Sequence, residues 1–326
     1  MLLLRHQDVE QLLDVAELID ALATAMADLS SGRASVPPRV AAVVPAPEGV
    51  LVAMPGYSPA LGVLAVKVLT VFPGNQAHEA PSHQALIGLF DPTTGTPLAM
   101  MDGNAITAAR TAAGSALSIR LLARPEAAVL AVLGTGVQAR AHARAAAVVR
   151  PLTEVRIAGR HPDRAEALAA ELRAEGLPAR AAGTWEEAVR GAGIVCATTA
   201  AEDPVVRLEW LDPGTHVASV GYTARGREVD DDTMAEARVV VEHRETSFTP
   251  YPVGSNDLTE PAARGLIAPD EVAEIGELVE GRRPGRTSGD QITVYKSVGV
   301  AAQDAAAAGL VYAAACRRGV GHRITL

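Results

Sequence analysis

The run AVLAVLGTGVQARAHARA, Ala128 to Ala145, constrains the fold more than any other stretch of the chain. Five apolar residues, Val129 to Leu133, end at Gly134, and helix-forming Ala, Gln and Arg follow from Val137 to Val149. Gly134, Gly136 and Ala139 fit the pattern GxGxxA. In that pattern the first glycine permits the turn, the second lets backbone approach a pyrophosphate, and the small third residue lets helix pack on strand. The helix start then offers free N–H groups to an anion. A tight turn without ligand has the same glycines, so the pattern needs its context: strand, helix, second strand.

That context is present. EVRIAG returns as a strand, and HPDRAEALAAELRAEG reads as a helix with Pro162 in its first turn and Gly176 at its stop. PARAAG, TWEEAVRGA, IVCATT, HVASVG, DDDTMAEA and RVVVEH continue the alternation. The implied fold is α/β, a Rossmann-type doubly wound parallel sheet with both faces covered. The acidic run Asp230 to Asp232 reads as the N-terminal charge of a helix. An NAD site usually carries an acid at the end of the second strand to bind the ribose 2′-hydroxyl. Here that place holds Arg160 and His161, with Arg164 a turn later. A guanidinium pairs with a 2′-phosphate, so NADP(H) is favoured and NAD(H) remains possible. A solvated loop arginine is the bland alternative for Arg160.

The segment before the glycines has another texture. DVAELIDALATAMADLSSG has helical spacing and stops at Gly32, and from Val40 short apolar stretches alternate with Pro- and Gly-rich turns. This predicts an antiparallel sheet and hence a second, α+β domain, a substrate-binding candidate. At 326 residues two domains are expected. Within LGVLAVKVLTVF, Lys67 interrupts an apolar strand. It either snorkels to a sheet edge or sits beside a cleft where desolvation lowers its pKa and suits it to proton transfer. Arg39 and Arg110 pose the same choice between a bidentate carboxylate partner and a bland surface or interdomain role, and for Arg39 the residues alone favour the bland one.

Several function classes are excluded or weakened. The net charge of −9 with no basic patch argues against nucleic acid. The leucine run before Arg5 is too short for a leader, and no apolar stretch spans a bilayer. Cys196 and Cys316, each in apolar surroundings, read as reduced core residues, which suits the cytoplasm. His78, Glu79 and His83 lack HExxH spacing and Pro81 breaks any helix there, so no metal is expected. Ser58, Ser115 and Ser219 lack the setting of a serine nucleophile.

KVLTVFPGN, APSHQALIGLFDPTTGTPLAMMDGNAITAARTAA, LGTGVQARAHA and GDQITVYKSVGVAAQDAAAA, taken in order, resemble the signatures of the ornithine cyclodeaminase and mu-crystallin family. The resemblance implies a homodimer of two-domain chains. Residues 1–113 with 300–326 would form the substrate-binding and dimerization domain and residues 114–299 the dinucleotide-binding domain. On this pattern Arg39 and Arg110 hold a substrate carboxylate, and Lys67 stands beside the reacting carbon. Ser82 and His83 lie near the cofactor, and Val137 and Gln138 follow the glycines at the pyrophosphate. Arg160, with His161, faces an NADPH phosphate, and Ser297 and Val298 lie close to nicotinamide and substrate.

One departure separates branches of the family. Cyclodeaminases carry an aspartate shortly after the glycine of the VASVG strand, whereas GYTARGREVD has Thr223 there and no carboxylate before Glu228. A hydroxyl cannot replace a general base near neutrality. The implied activity is therefore reduction of a cyclic imino acid such as pyrroline-2-carboxylate or piperideine-2-carboxylate. An ammonia-lyase of the cyclodeaminase type, a related amino acid dehydrogenase and a non-catalytic small-ligand binder are the alternatives.

Overall fold

The computed structural model describes the chain except residues 47, 73, 76–80 and 326. His78 and Glu79 thus lie outside the described residues. The chain divides into two compact units, Met1–Arg110 with Val300–Leu326, and Thr111–Gly299.

The first unit is built on a seven-stranded sheet. Four antiparallel strands, Gly49–Ser58, Val63–Val71, His83–Phe90 and Pro97–Asp102, form its middle, with Val40–Val44 at one edge. Leu2–Leu4 pairs in parallel with Pro97–Asp102 and antiparallel with His322–Arg323, so both ends of the chain close the other edge. The leucine run weighed as a leader is a strand with Leu2 and Leu4 buried.

Alternation gives this sheet two unlike faces. Ala65, Lys67, Ile87, Leu89 and Met101 point to one side and are buried. The helix Val15–Ser30 and the long helix Ala301–Arg318 pack together, and the latter covers the central strands. Val15–Ser30 starts where the Asp14 carboxylate accepts the Glu17 N–H, and it buries Leu18, Ile19, Leu22 and Met26. Gly56 lets Ala301–Arg318 approach, since a Cβ there would lie 3.0 Å from the Ala301 methyl. That helix ends at Gly319, whose φ of 67° is the left-handed cap that glycine adopts freely. Cys316, expected in a core, is exposed. Val311, Ala314 and Ala315 occupy the inward face of the helix, and its period turns residue 316 outward.

The second unit is an α/β fold on an eight-stranded sheet. Its spatial order is Ala179–Ala181, Glu154–Ala158, Val129–Leu133, Ile194–Ala197, His216–Ser219, Thr293–Lys296, Arg238–Val241, Ala273–Glu274, and every pairing is parallel. The chain winds outward from Val129–Leu133 in one direction, then returns to Ile194–Ala197 and winds in the other. The switch between these two strands is where open α/β sheets bind ligands, outside the strands' carboxyl ends. Val129–Leu133 and Ile194–Ala197 are buried almost throughout, as strands covered on both faces must be. Asp230 caps the helix Asp231–Glu236 by accepting the Thr233 N–H.

Candidate functional site

In the first unit, Lys67 lies in the middle of a central strand, on the face covered by helices, and is 2% exposed. It does not snorkel to an edge. Its Nζ donates to Asp304 Oδ1 at 2.9 Å, and Asp304 Oδ2 is equally near. Arg110 also donates to Asp304 Oδ1, through Nε at 3.1 Å, and its Nη1 donates to Gln303 Oε1 at 3.1 Å. Burial pushes Lys67 down to about 8, although Asp304 opposes the shift; Arg110 and Arg39 add to it. The two cations in turn hold Asp304 below the usual carboxylate range despite its burial. A buried cluster of two cations and one carboxylate keeps an excess positive charge, and an anion relieves it.

Arg39 is half-buried beside the edge strand Val40–Val44, near enough to act on Lys67 through its charge. His83 opens its strand next to the half-buried Ser82, and its Nδ1 pairs with Asn104 Oδ1 at 3.1 Å. Burial first, then the charges of Lys67 and Arg110, hold the imidazole below its ordinary pKa, so it is neutral at pH 7.

In the second unit, Gly134, Gly136, Arg160 and His161 line one cavity of about 220 Å³ at the switch point, together with Thr198. Gly134 has φ 126°, and a Cβ on it would lie 2.5 Å from Thr198 Oγ1, so turn and neighbouring strand end both require glycine. Gly136 opens the helix Val137–Val149 with no side chain capping the first turn and open space where a Cβ would sit. Gln138 in that turn has a buried Oε1 without a partner among the described residues. Arg160, His161 and Arg164 are exposed, and neither arginine makes an ion pair among the described residues. Free N–H groups, an unmatched amide and two uncommitted guanidinium groups around a glycine cradle fit a phosphate-rich dinucleotide.

Ser297 and Val298 lie outside that cavity, just beyond the strand Thr293–Lys296. The buried Glu242 fixes them. It accepts Ser297 Oγ–H at 2.6 Å and the Val298 N–H at 2.8 Å. A second buried network governs the loop after His216–Ser219. Glu228 accepts the Thr199 N–H and hydroxyl, the Ser219 hydroxyl and the Gly221 N–H. Lys296 Nζ donates to Ser219 Oγ and Gly221 O and pairs with Asp257 at 2.9 Å. Glu228, 1% exposed and bound on both oxygens, is structural. Thr223 donates to the Arg225 carbonyl. The loop therefore presents no carboxylate for proton chemistry.

Asp304, Gln303, Glu242 and Lys296 were not singled out from the sequence. Asp304 left a signal, as the one carboxylate in the helical run AAQDAAAAGLVYAAAC. Among the described residues no three His, Cys, Asp or Glu gather to hold a metal, and no helix is long and apolar enough to cross a membrane.

Residues 1–318 match the model of the ornithine cyclodeaminase/mu-crystallin family. The chain is 38% identical over 299 residues to the ketimine reductase mu-crystallin of Mus musculus, covering 90% of this chain and 91% of the relative. It superposes with a TM-score of 0.93 on Thermococcus litoralis Delta(1)-pyrroline-2-carboxylate reductase in complex with NADH and L-proline, at 35% identity, covering 99% and 100% of the two chains. An archaeal alanine dehydrogenase dimer with bound NAD gives a TM-score of 0.91 at 31% identity, covering 100% and 99%. The similarity spans the whole order of strands and motifs, and the chain belongs to the ornithine cyclodeaminase/mu-crystallin family.

Proposed function

We propose that this chain is an NAD(P)H-dependent reductase of cyclic imino acids such as pyrroline-2-carboxylate or piperideine-2-carboxylate. The observation that carries this reading is the buried cluster of Lys67, Arg110 and Asp304, whose excess positive charge suits a small carboxylate. Arg110 Nε and Nη1 are committed to Asp304 and Gln303, which fixes the plane of the guanidinium and leaves Nη2 for the substrate. Arg39 supplies a second cation for the same carboxylate. When bound, the reduced nicotinamide supplies the hydride taken up by the C=N carbon. Lys67, with a pKa lowered to about 8, is mostly protonated at neutral pH and releases its proton readily to the imine nitrogen. Named relatives that are ketimine and pyrroline-2-carboxylate reductases support the assignment. The lyase alternative loses ground because residues 220–227 contain no carboxylate and Glu228 is fully committed.

In this reading Thr111–Gly299 binds the dinucleotide. Gly134, Gly136, Val137 and Gln138 take the pyrophosphate, and Arg160 and His161 take the 2′-phosphate, so NADPH is preferred over NADH. Ser82, His83, Ser297 and Val298 serve the nicotinamide end and the substrate. The remaining unit binds substrate and forms a homodimer. Its uncovered sheet face carries Val40 and Leu86, 69% and 54% exposed, with Val66, Val68 and Met100 on the same side. Such a continuous apolar surface suits a second copy of the chain. A reducing cytoplasm suits the two free cysteines.

The test is NADPH oxidation with five- and six-membered cyclic imino acids, with ammonia release from ornithine as the contrast. Stoichiometric NADPH loss on an imino acid supports the reading. Ammonia from ornithine without net NADPH change, and no oxidation on any imino acid, overturns it.

A further inference from the structure

The cavity at the switch point has one wall that the glycine pattern does not require. Trp185 lines it together with Gly134, Arg160 and Thr198. This tryptophan opens the short helix Trp185–Val189, just after the strand Ala179–Ala181. That strand pairs in parallel with Glu154–Ala158, whose carboxyl end leads into Arg160. Trp185 and Arg160 therefore leave neighbouring strands at the same edge of the sheet. The indole is half-buried, packed against the core of the unit while bordering the cavity. Core packing makes it a rigid wall.

A dinucleotide with its pyrophosphate on the Gly134–Gly136 turn and its 2′ substituent at Arg160 has little choice about its purine, because base and 2′ substituent sit on adjacent ribose carbons. The base falls beside Arg160, where the indole is. We propose that Trp185 is the stacking surface for the adenine ring, with the Arg160 guanidinium contributing to the same subsite. Stacking on an aromatic face suits a purine better than hydrogen bonding to its edges would here, since indole presents a broad flat surface and a single donor. This inference rests on the dinucleotide reading above and assigns its adenine half.

The chain has two tryptophans, Trp185 and Trp210, so Trp210→Phe leaves Trp185 as the sole indole emitter. In that protein, 2′,5′-ADP and NADP+ quench the emission saturably, and nicotinamide mononucleotide does not. By calorimetry, Trp185→Leu, which keeps apolar bulk against the core, weakens 2′,5′-ADP binding about tenfold, in line with ~1–3 kcal/mol per stacked base. Trp185→Phe recovers most of that loss. Equal affinity of Trp185→Leu and parent for 2′,5′-ADP and NADP+ overturns the proposal. A parent that binds neither NADP+ nor NAD+ overturns the dinucleotide reading itself and the adenine assignment with it, a result recognisable from the flat titration of the unmodified protein.

Discussion

Asp304 Oδ1 accepts hydrogen bonds from both Lys67 and Arg110, residues 237 and 194 positions away in sequence. One carboxylate on the last long helix thus holds two cations from a strand and from another helix. Asp304→Asn keeps the shape and removes the charge, leaving the cations to repel each other. Removing one partner of a buried pair costs ~3–5 kcal/mol, which thermal melting will register as a clear drop. The catalytic efficiency should fall with it, by at least tenfold.

The same carboxylate sets the pH behaviour of Lys67. With its pKa lowered to about 8, the ammonium is lost as pH rises past that value, so kcat/KM should decline on an alkaline limb near pH 8. Lys67→Met should remove most of the rate, ~10²–10⁴-fold for a general acid. In Asp304→Asn the limb should move to lower pH, because the charge that raised the lysine pKa is gone. A limb unchanged in that variant would dissociate it from Lys67.

Acid stability should be limited by two buried histidines. His142 pairs with Ser115 and the Gln138 carbonyl, and His216 with Ser118 and Thr293. Burial depresses them to about 4 and about 3. With folded values below the unfolded one of about 6.5, the unfolded chain binds more protons in between. Stability is complete above pH 6.5 and is lost as pH falls toward 4, by about 3 kcal/mol per histidine. Urea midpoints across pH 7 to 4 will show the slope.

Arg160→Ala should weaken NADPH about tenfold and leave NADH nearly unchanged, as loss of a charged hydrogen bond to an exposed phosphate predicts. Comparing dissociation constants for the two cofactors measures this directly. Equal losses for both would remove Arg160 from cofactor discrimination.

Leu86→Asp places a charge on the uncovered sheet face without touching the buried one. Light scattering should then report a monomer where the parent is a dimer. A parent that is monomeric at all concentrations would refute the assignment of that face.

Much of the second unit is legible in the sequence because local signals coincide there. Val129–Leu133 and Val137–Val149 start and stop as read, since the apolar run, the glycine turn and the helix formers agree. Thr293–Lys296 was not read as a strand. It is four residues long, fully buried, and has no alternation to betray it. The helix Gly103–Leu122 escaped for the opposite reason, because its Ala, Gly, Ser and Thr residues draw no apolar stripe. Lys67 and Arg110 could be nominated from their apolar settings, but only the fold brings Asp304 to them, and no local pattern encodes a contact over such a separation.

The pairing of Leu2–Leu4 with His322–Arg323 makes the first unit depend on both ends of the chain. During translation the ribosome delivers Lys67 and Arg110 well before Asp304. The unit Thr111–Gly299 can mature while the helix Ala301–Arg318 is still being synthesised, whereas Lys67 and Arg110 stay without their shared carboxylate until that helix is released. Assembly of this charge cluster is therefore a late event of biosynthesis, and a truncation between Gly299 and Asp304 leaves the second unit whole while depriving Lys67 and Arg110 of their shared carboxylate.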